Sequence, residues 1–181
     1  ANLTKRLVVN GGRQWAKGMA CDIKKKMNAE NEERSRVLEN MKQPDMMVVM
    51  QPFNAPVEDA KVAEQLLQGI IDEQENERPT AVTFFEAAVK NEALIIYNEP
   101  KDWLLPARMY LGAALLKAGS FSKAENIFKE DLQENPNNHW SLNGLYESLQ
   151  QQKKNTAAGL IKKQLDKTIT VDDMKGLPVV F

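Results

Sequence analysis

The chain is expected to fold as an all-α solenoid, a right-handed α-α superhelix of about four stacked helical hairpins. Three observations point there. Leu111, Leu115 and Ala124 return as Leu145, Leu149 and Ala158, each displaced by 34 positions, and a fixed period of that size marks stacked helical pairs. Gly69, Ala81 and Phe85 return as Gly112, Ala124 and Phe128, all displaced by 43. Helical periodicity runs through most of the chain, and segments of alternating apolar and polar residues are scarce.

The first hairpin is placed over 3–42. A helical run over Leu3 to Met27 is weakened by Gly11-Gly12, and a second amphipathic run covers Glu30 to Met41. Between Lys42 and Val57 the prolines Pro44, Pro52 and Pro56 cannot share a helix. The apolar run Met46-Met47-Val48-Val49-Met50 inside that stretch has two readings: a connector pinned across a hydrophobic seam, or an exposed segment that takes a partner.

The second hairpin is placed over 58–90. Val62, Leu66, Leu67, Ile70 and Ile71 form one apolar stripe, and Pro79 stands where a helix begins. The offset of 43 exceeds the period of 34 by nine residues, which implies an insertion over 91–103. The third hairpin spans 104–134, turning at Gly119, a residue suited to a left-handed helix end. The fourth spans 139–167, with Asn137 or Asn138 as its N-cap. The tail, 168–181, reads as irregular with an apolar end. Small residues at Gly112 and Ala124 allow close packing, and Phe128 is expected to fill the space between neighbouring pairs. Lys162 stands where Phe128 would recur, and Lys153 where Gly119 would; a polar residue at the former suits a capping pair.

The stretch Arg108-x2-Leu111-Gly112-x2-Leu115, Gly119, Ala124-x3-Phe128 and Pro136 resembles the tetratricopeptide (TPR) repeat, with Arg108 and Leu115 where that pattern carries Trp and Tyr. The run Tyr97-Asn98-Glu99-Pro100-Lys101-Asp102-Trp103, continued by Pro106 to Leu116, Asn135-Pro136-Asn137-Asn138-His139-Trp140 and Gly144-Leu145, is similar to a group of bacterial tetratricopeptide proteins without an established activity. Members of that group tend to be longer. The resemblance therefore implies that this chain corresponds to a C-terminal portion.

Composition narrows the function. The 24 basic and 25 acidic residues nearly cancel, which argues against nucleic acid as a partner. No run of 18 apolar residues exists to span a bilayer. The start lacks an initiator Met and a signal-peptide core. The compartment is therefore open, with the cytoplasm favoured and a targeting segment expected to be missing from this chain if one exists. Cys21 is the single cysteine and His139 the single histidine. In a solenoid they fall in distant repeats, which removes a Cys-His pair, and no run of His and Cys has the spacing of a zinc site. No phosphate-binding glycine loop or nucleophile elbow occurs. The expectation is a chain with no catalytic residue, metal or cofactor, monomeric or weakly self-associating.

A binding scaffold remains. In such repeats the first helix of each pair lines the concave face. The residues expected to project there are Leu66, Ile70 and Glu73, then Met109, Ala113, Leu116 and Lys117, then Trp140, Asn143, Glu147 and Gln150. Trp140 and Met109 have an alternative role in packing between pairs. The insertion adds Tyr97, Glu99, Asp102 and Trp103, either as a functional loop or as a seal between two pairs. The leading expectation is a non-catalytic protein- or peptide-binding scaffold. The alternative is a structural or regulatory C-terminal module of a longer protein whose N-terminal part carries an enzymatic or metal-dependent activity.

Overall fold

Prolines open two of the helices of this chain, and residues in the left-handed conformation close three. The computed structural model describes residues 27–49, 54–96 and 106–168; expectations placed on 1–26, 50–53, 97–105 and 169–181 lie outside the described residues. The described residues form seven α-helices and one 3₁₀ turn, with no strand among them. The helices are α1 (Met27–Met41), α2 (Pro56–Gln74), α3 (Arg78–Glu92), α4 (Ala107–Lys117), α5 (Phe121–Glu134), α6 (His139–Gln151) and α7 (Asn155–Thr168), with the 3₁₀ turn at Pro44–Met47. Pro56 and Pro79 sit in the first helical turns of α2 and α3, where the missing N–H leaves nothing unsatisfied. That is why α2 begins two residues ahead of the expected 58.

Three turns share one geometry. Asn76, Gly119 and Lys153 have φ of 64°, 73° and 59°, and they stand 43 and 34 positions apart. At each, the next residue's N–H reaches back five positions: Glu77 to Asp72 at 2.8 Å, Ser120 to Leu115 at 2.8 Å, Lys154 to Leu149 at 2.9 Å. The left-handed residue's own N–H reaches back three: Asn76 to Glu73 at 3.2 Å, Gly119 to Leu116 at 3.0 Å, Lys153 to Gln150 at 2.9 Å. These two bonds satisfy carbonyls that the helix end would otherwise orphan, the Schellman arrangement. The following helix then starts identically. Ala81, Ala124 and Ala158 donate to the carbonyls of Glu77, Ser120 and Lys154 at 3.0, 3.0 and 2.9 Å.

The chain divides into two compact units between Ala107 and Arg108. In the first, α2 packs on α3 and on α1. Phe85 is buried, and its ring lies where a Cβ on Gly69 would stand only 2.5 Å from it. A second apolar cluster joins Val37 of α1, Met46 of the 3₁₀ turn, and Ala55, Val57, Ala60 and Leu67. The connector is thus pinned by Met46, 2 % exposed, while Met47, Val48 and Val49 stay exposed. Arg34 of α1 grips Glu64 of α2 with Nε at 3.0 Å and Nη2 at 2.6 Å, and Asn91 of α3 donates to Gln65 of α2 at 2.8 Å.

In the second unit α6 packs against both α5 and α7. The ring of Phe128, fully buried on α5, lies between two glycines. A Cβ on Gly112 of α4 would meet it at 2.5 Å, and one on Gly144 of α6 at 2.2 Å. Glycine at both places lets α4 and α6 seat side by side on one aromatic, so Phe128 fills the space between successive helical pairs. Arg108 holds α4 to α5 through Glu134 at 2.8 Å. Lys162, at the position where Phe128 would recur, is exposed, paired with Asp166 at 2.8 Å and set 5.9 Å from the Tyr146 ring centre.

Candidate functional site

The α6 helix owes its position to two buried acids on α5. Asp131, 0 % exposed, accepts from Asn135 at 2.9 Å, from Asn138 at 2.8 Å and from the Ser141 hydroxyl at 2.5 Å. That carboxylate therefore fixes the corner Asn135–Ser141 that launches α6. Asn138 is the N-cap, its side-chain oxygen accepting from the Trp140 N–H at 3.2 Å. At the other end, Glu125 is buried and accepts from Lys129 at 2.5 Å, Lys154 at 2.6 Å and Gln152 at 2.8 Å. Burial alone would raise its carboxyl, but the bonds from Lys129, Lys154 and Gln152 outweigh it and hold the group down to about 2. Both ends of α6 are therefore anchored to α5 by charge-assisted hydrogen bonds.

Between those anchors Trp140, Asn143 and Glu147 follow one another at i, i+3 and i+7, on one stripe of the helix, and all three are partly buried. No side-chain hydrogen bond or ion pair engages any of them among the described residues. Burial raises the Glu147 carboxyl above its ordinary value. Gln150, one turn further, is exposed and donates to the Tyr146 hydroxyl at 2.6 Å. His139 opens α6; burial first, and the charge of Lys162 second, lower its pKa.

The remaining expected site residues divide by burial. Leu66 and Met109 are 0 % and 1 % exposed, and Ala113 is buried as well, so these three offer no surface to a partner and act in packing. An apolar residue on one helix of a hairpin is drawn into the seam with its neighbours whenever that seam is within reach. Met109 does so while its sulfur accepts from Asn138 at 3.3 Å. Ile70, Glu73 and Leu116 are partly buried, and Lys117 is exposed. Tyr97, Glu99, Asp102 and Trp103 lie outside the described residues. The structure thus brings Trp140, Asn143 and Glu147 together on α6. The buried acids Glu125 and Asp131 escaped sequence reasoning, and only the spacing Asp131, Asn135, Asn138 advertised a polar corner.

Among the described residues no three His, Cys, Asp or Glu side chains are grouped to hold a metal ion, and no helix is long and apolar enough to cross a membrane. Comparison with family models, curated proteins and solved structures finds no match.

Proposed function

We propose that the chain is a tetratricopeptide-like helical-repeat scaffold that binds an extended segment of a protein partner without catalysis, through the inner helices α4 and α6 of its second unit. The observation that carries this reading is the recurrence of one turn geometry at Asn76, Gly119 and Lys153. It is supported by the Gly-Phe packing found twice, Gly69 on Phe85 and Gly112 on Phe128. A hairpin repeated with one geometry builds a rigid surface from successive inner helices. On α6 that surface carries a large aromatic ring, an amide and a carboxylate, none of them engaged within the described chain. An aromatic ring supplies contact area, and an amide matches the N–H and C=O of an extended backbone.

The test is selection of twelve-residue random peptides displayed on phage against the full chain, followed by titration of the enriched peptides. Trp140→Ala together with Asn143→Ala is expected to weaken binding at least tenfold, with an unchanged helical circular-dichroism signal. Enriched peptides that bind the doubly substituted chain as well as the parent would remove α6 from the site. Failure to enrich any peptide would count against the scaffold itself.

A further inference from the structure

The second unit holds three buried or partly buried carboxylates among its described residues, and it serves two of them. Glu125 receives Lys129, Lys154 and Gln152. Asp131 receives Asn135, Asn138 and Ser141. Glu147 receives neither a donor nor a cation, although the chain places cations on the neighbouring helix. Lys162 of α7 is occupied by Asp166 and the Tyr146 ring, and Lys154 is occupied by Glu125. Burial is the one influence on the Glu147 carboxyl, and it works against the charge. An ionised carboxylate removed from water without a partner costs free energy, which a cation and its hydrogen bonds can offset. Toward the start of α6 the side chains next to it along the stripe are Asn143, one turn away, and Trp140 beyond, both without a polar partner.

We infer that Glu147 is a specificity-determining residue, and that the segment bound on α6 is a basic one that sets a Lys or Arg side chain against the Glu147 carboxylate while its backbone meets Asn143 and its apolar part meets Trp140. The inference rests on the peptide-binding reading above and goes further by fixing the charge of the partner. An acidic segment is excluded by the same geometry, since a second carboxylate at Glu147 would compound the desolvation with like-charge repulsion.

The peptides enriched from the random library provide the test, with the full chain as receptor. They are expected to share a Lys or Arg at one fixed position. Replacing that residue by norleucine should weaken binding at least tenfold. Glu147→Gln should do the same for the parent peptide while leaving the norleucine peptide's affinity unchanged, because the two substitutions remove one interaction. Binding of the basic peptide should also weaken as salt is added. Enriched peptides without a fixed basic residue, or a Glu147→Gln chain that binds the basic peptide undiminished, would overturn the inference while the peptide site stands. Failure to enrich any peptide would bring down both. Glu147→Gln keeps the shape and removes the charge, so a matched circular-dichroism spectrum and urea midpoint at least equal to the parent's separate lost recognition from lost folding.

Discussion

Lys153 shows how a fold can override the preference of a residue. Its φ of 59° lies where a side chain crowds the following carbonyl, at a cost of roughly 1–2 kcal/mol. The position is nonetheless fixed, because the N–H groups of Lys153 and Lys154 close the end of α6 onto Gln150 and Leu149. Gly119 meets the same demand without strain, and nothing lies within 4 Å of where its Cβ would stand. Two opposite effects follow. Lys153→Gly should raise the unfolding free energy by about 0.5–1 kcal/mol, the relief of strain being partly offset by glycine's greater freedom when unfolded. Gly119→Ala should lower it by about 1 kcal/mol, since the added methyl meets no neighbour but does meet the backbone. Urea denaturation of both variants checks the pair, and a Lys153→Gly variant no more stable than the parent would show that the turn relaxes around lysine. Lys153 was legible only through register: nothing about a lysine announces a left-handed residue, but its place 34 positions after Gly119 does.

At the scale of helices, the organising contact is one ring between two glycines. Phe128 of α5 is fully buried, and the positions of Gly112 and Gly144 leave no room for a methyl beside it. Gly144→Ala should therefore force α6 or the ring to shift and cost about 1–3 kcal/mol. Phe128→Ala should cost about 3–5 kcal/mol by emptying the same space. A smaller ring-side residue such as Leu in place of Phe128 should recover part of the Gly144→Ala loss, so the double variant should be more stable than the sum of the two single effects implies. Strict additivity in urea unfolding would mean that the two sites do not share the space. This layer of the fold was open to sequence reading because glycine, alanine and aromatic residues recur at fixed offsets. The candidate site was open only in part. The spacing of Trp140, Asn143 and Glu147 placed them on one stripe, whereas Leu66 and Met109 carried the same helical spacing and went into the core. A period names the face of a helix, but only the neighbouring helices decide whether that face is covered. Glu125 makes the converse point. An acid on an amphipathic helix reads as solvated, and only folding brings Lys154 and Gln152 from the next turn onto it.

The molecule as a whole carries two glutamates that the fold treats in opposite ways, and their titration reports it. Glu125 has its carboxyl held down to about 2 from 4.5, because the bonds from Lys129, Lys154 and Gln152 exceed the effect of burial. A depressed carboxyl contributes stability above its unfolded value, and that stability is lost as pH falls from about 4.5 toward about 2. Glu125→Gln should thus destabilise the chain at pH 7, by about 1.5–3 kcal/mol if one charged hydrogen-bond set is lost, and the gap to the parent should close through that window. Glu147 has its carboxyl raised by burial with no bond to oppose it. The linkage then runs the other way: the charged form weakens the fold above the raised value, and the penalty vanishes below 4.5, where the carboxyl is protonated folded or unfolded alike. Glu147→Gln should therefore stabilise the free chain at neutral pH and make no difference below about pH 4.5. Urea unfolding of the two variants from pH 7 to pH 2.5 compares one chemical change at two sites, and two curves of the same sign would contradict the assignment. A stripe that weakens the free molecule and binds the basic segment proposed above would be the trade expected where stability and recognition compete. The variant that gains in unfolding free energy at neutral pH should be the one that loses the basic peptide.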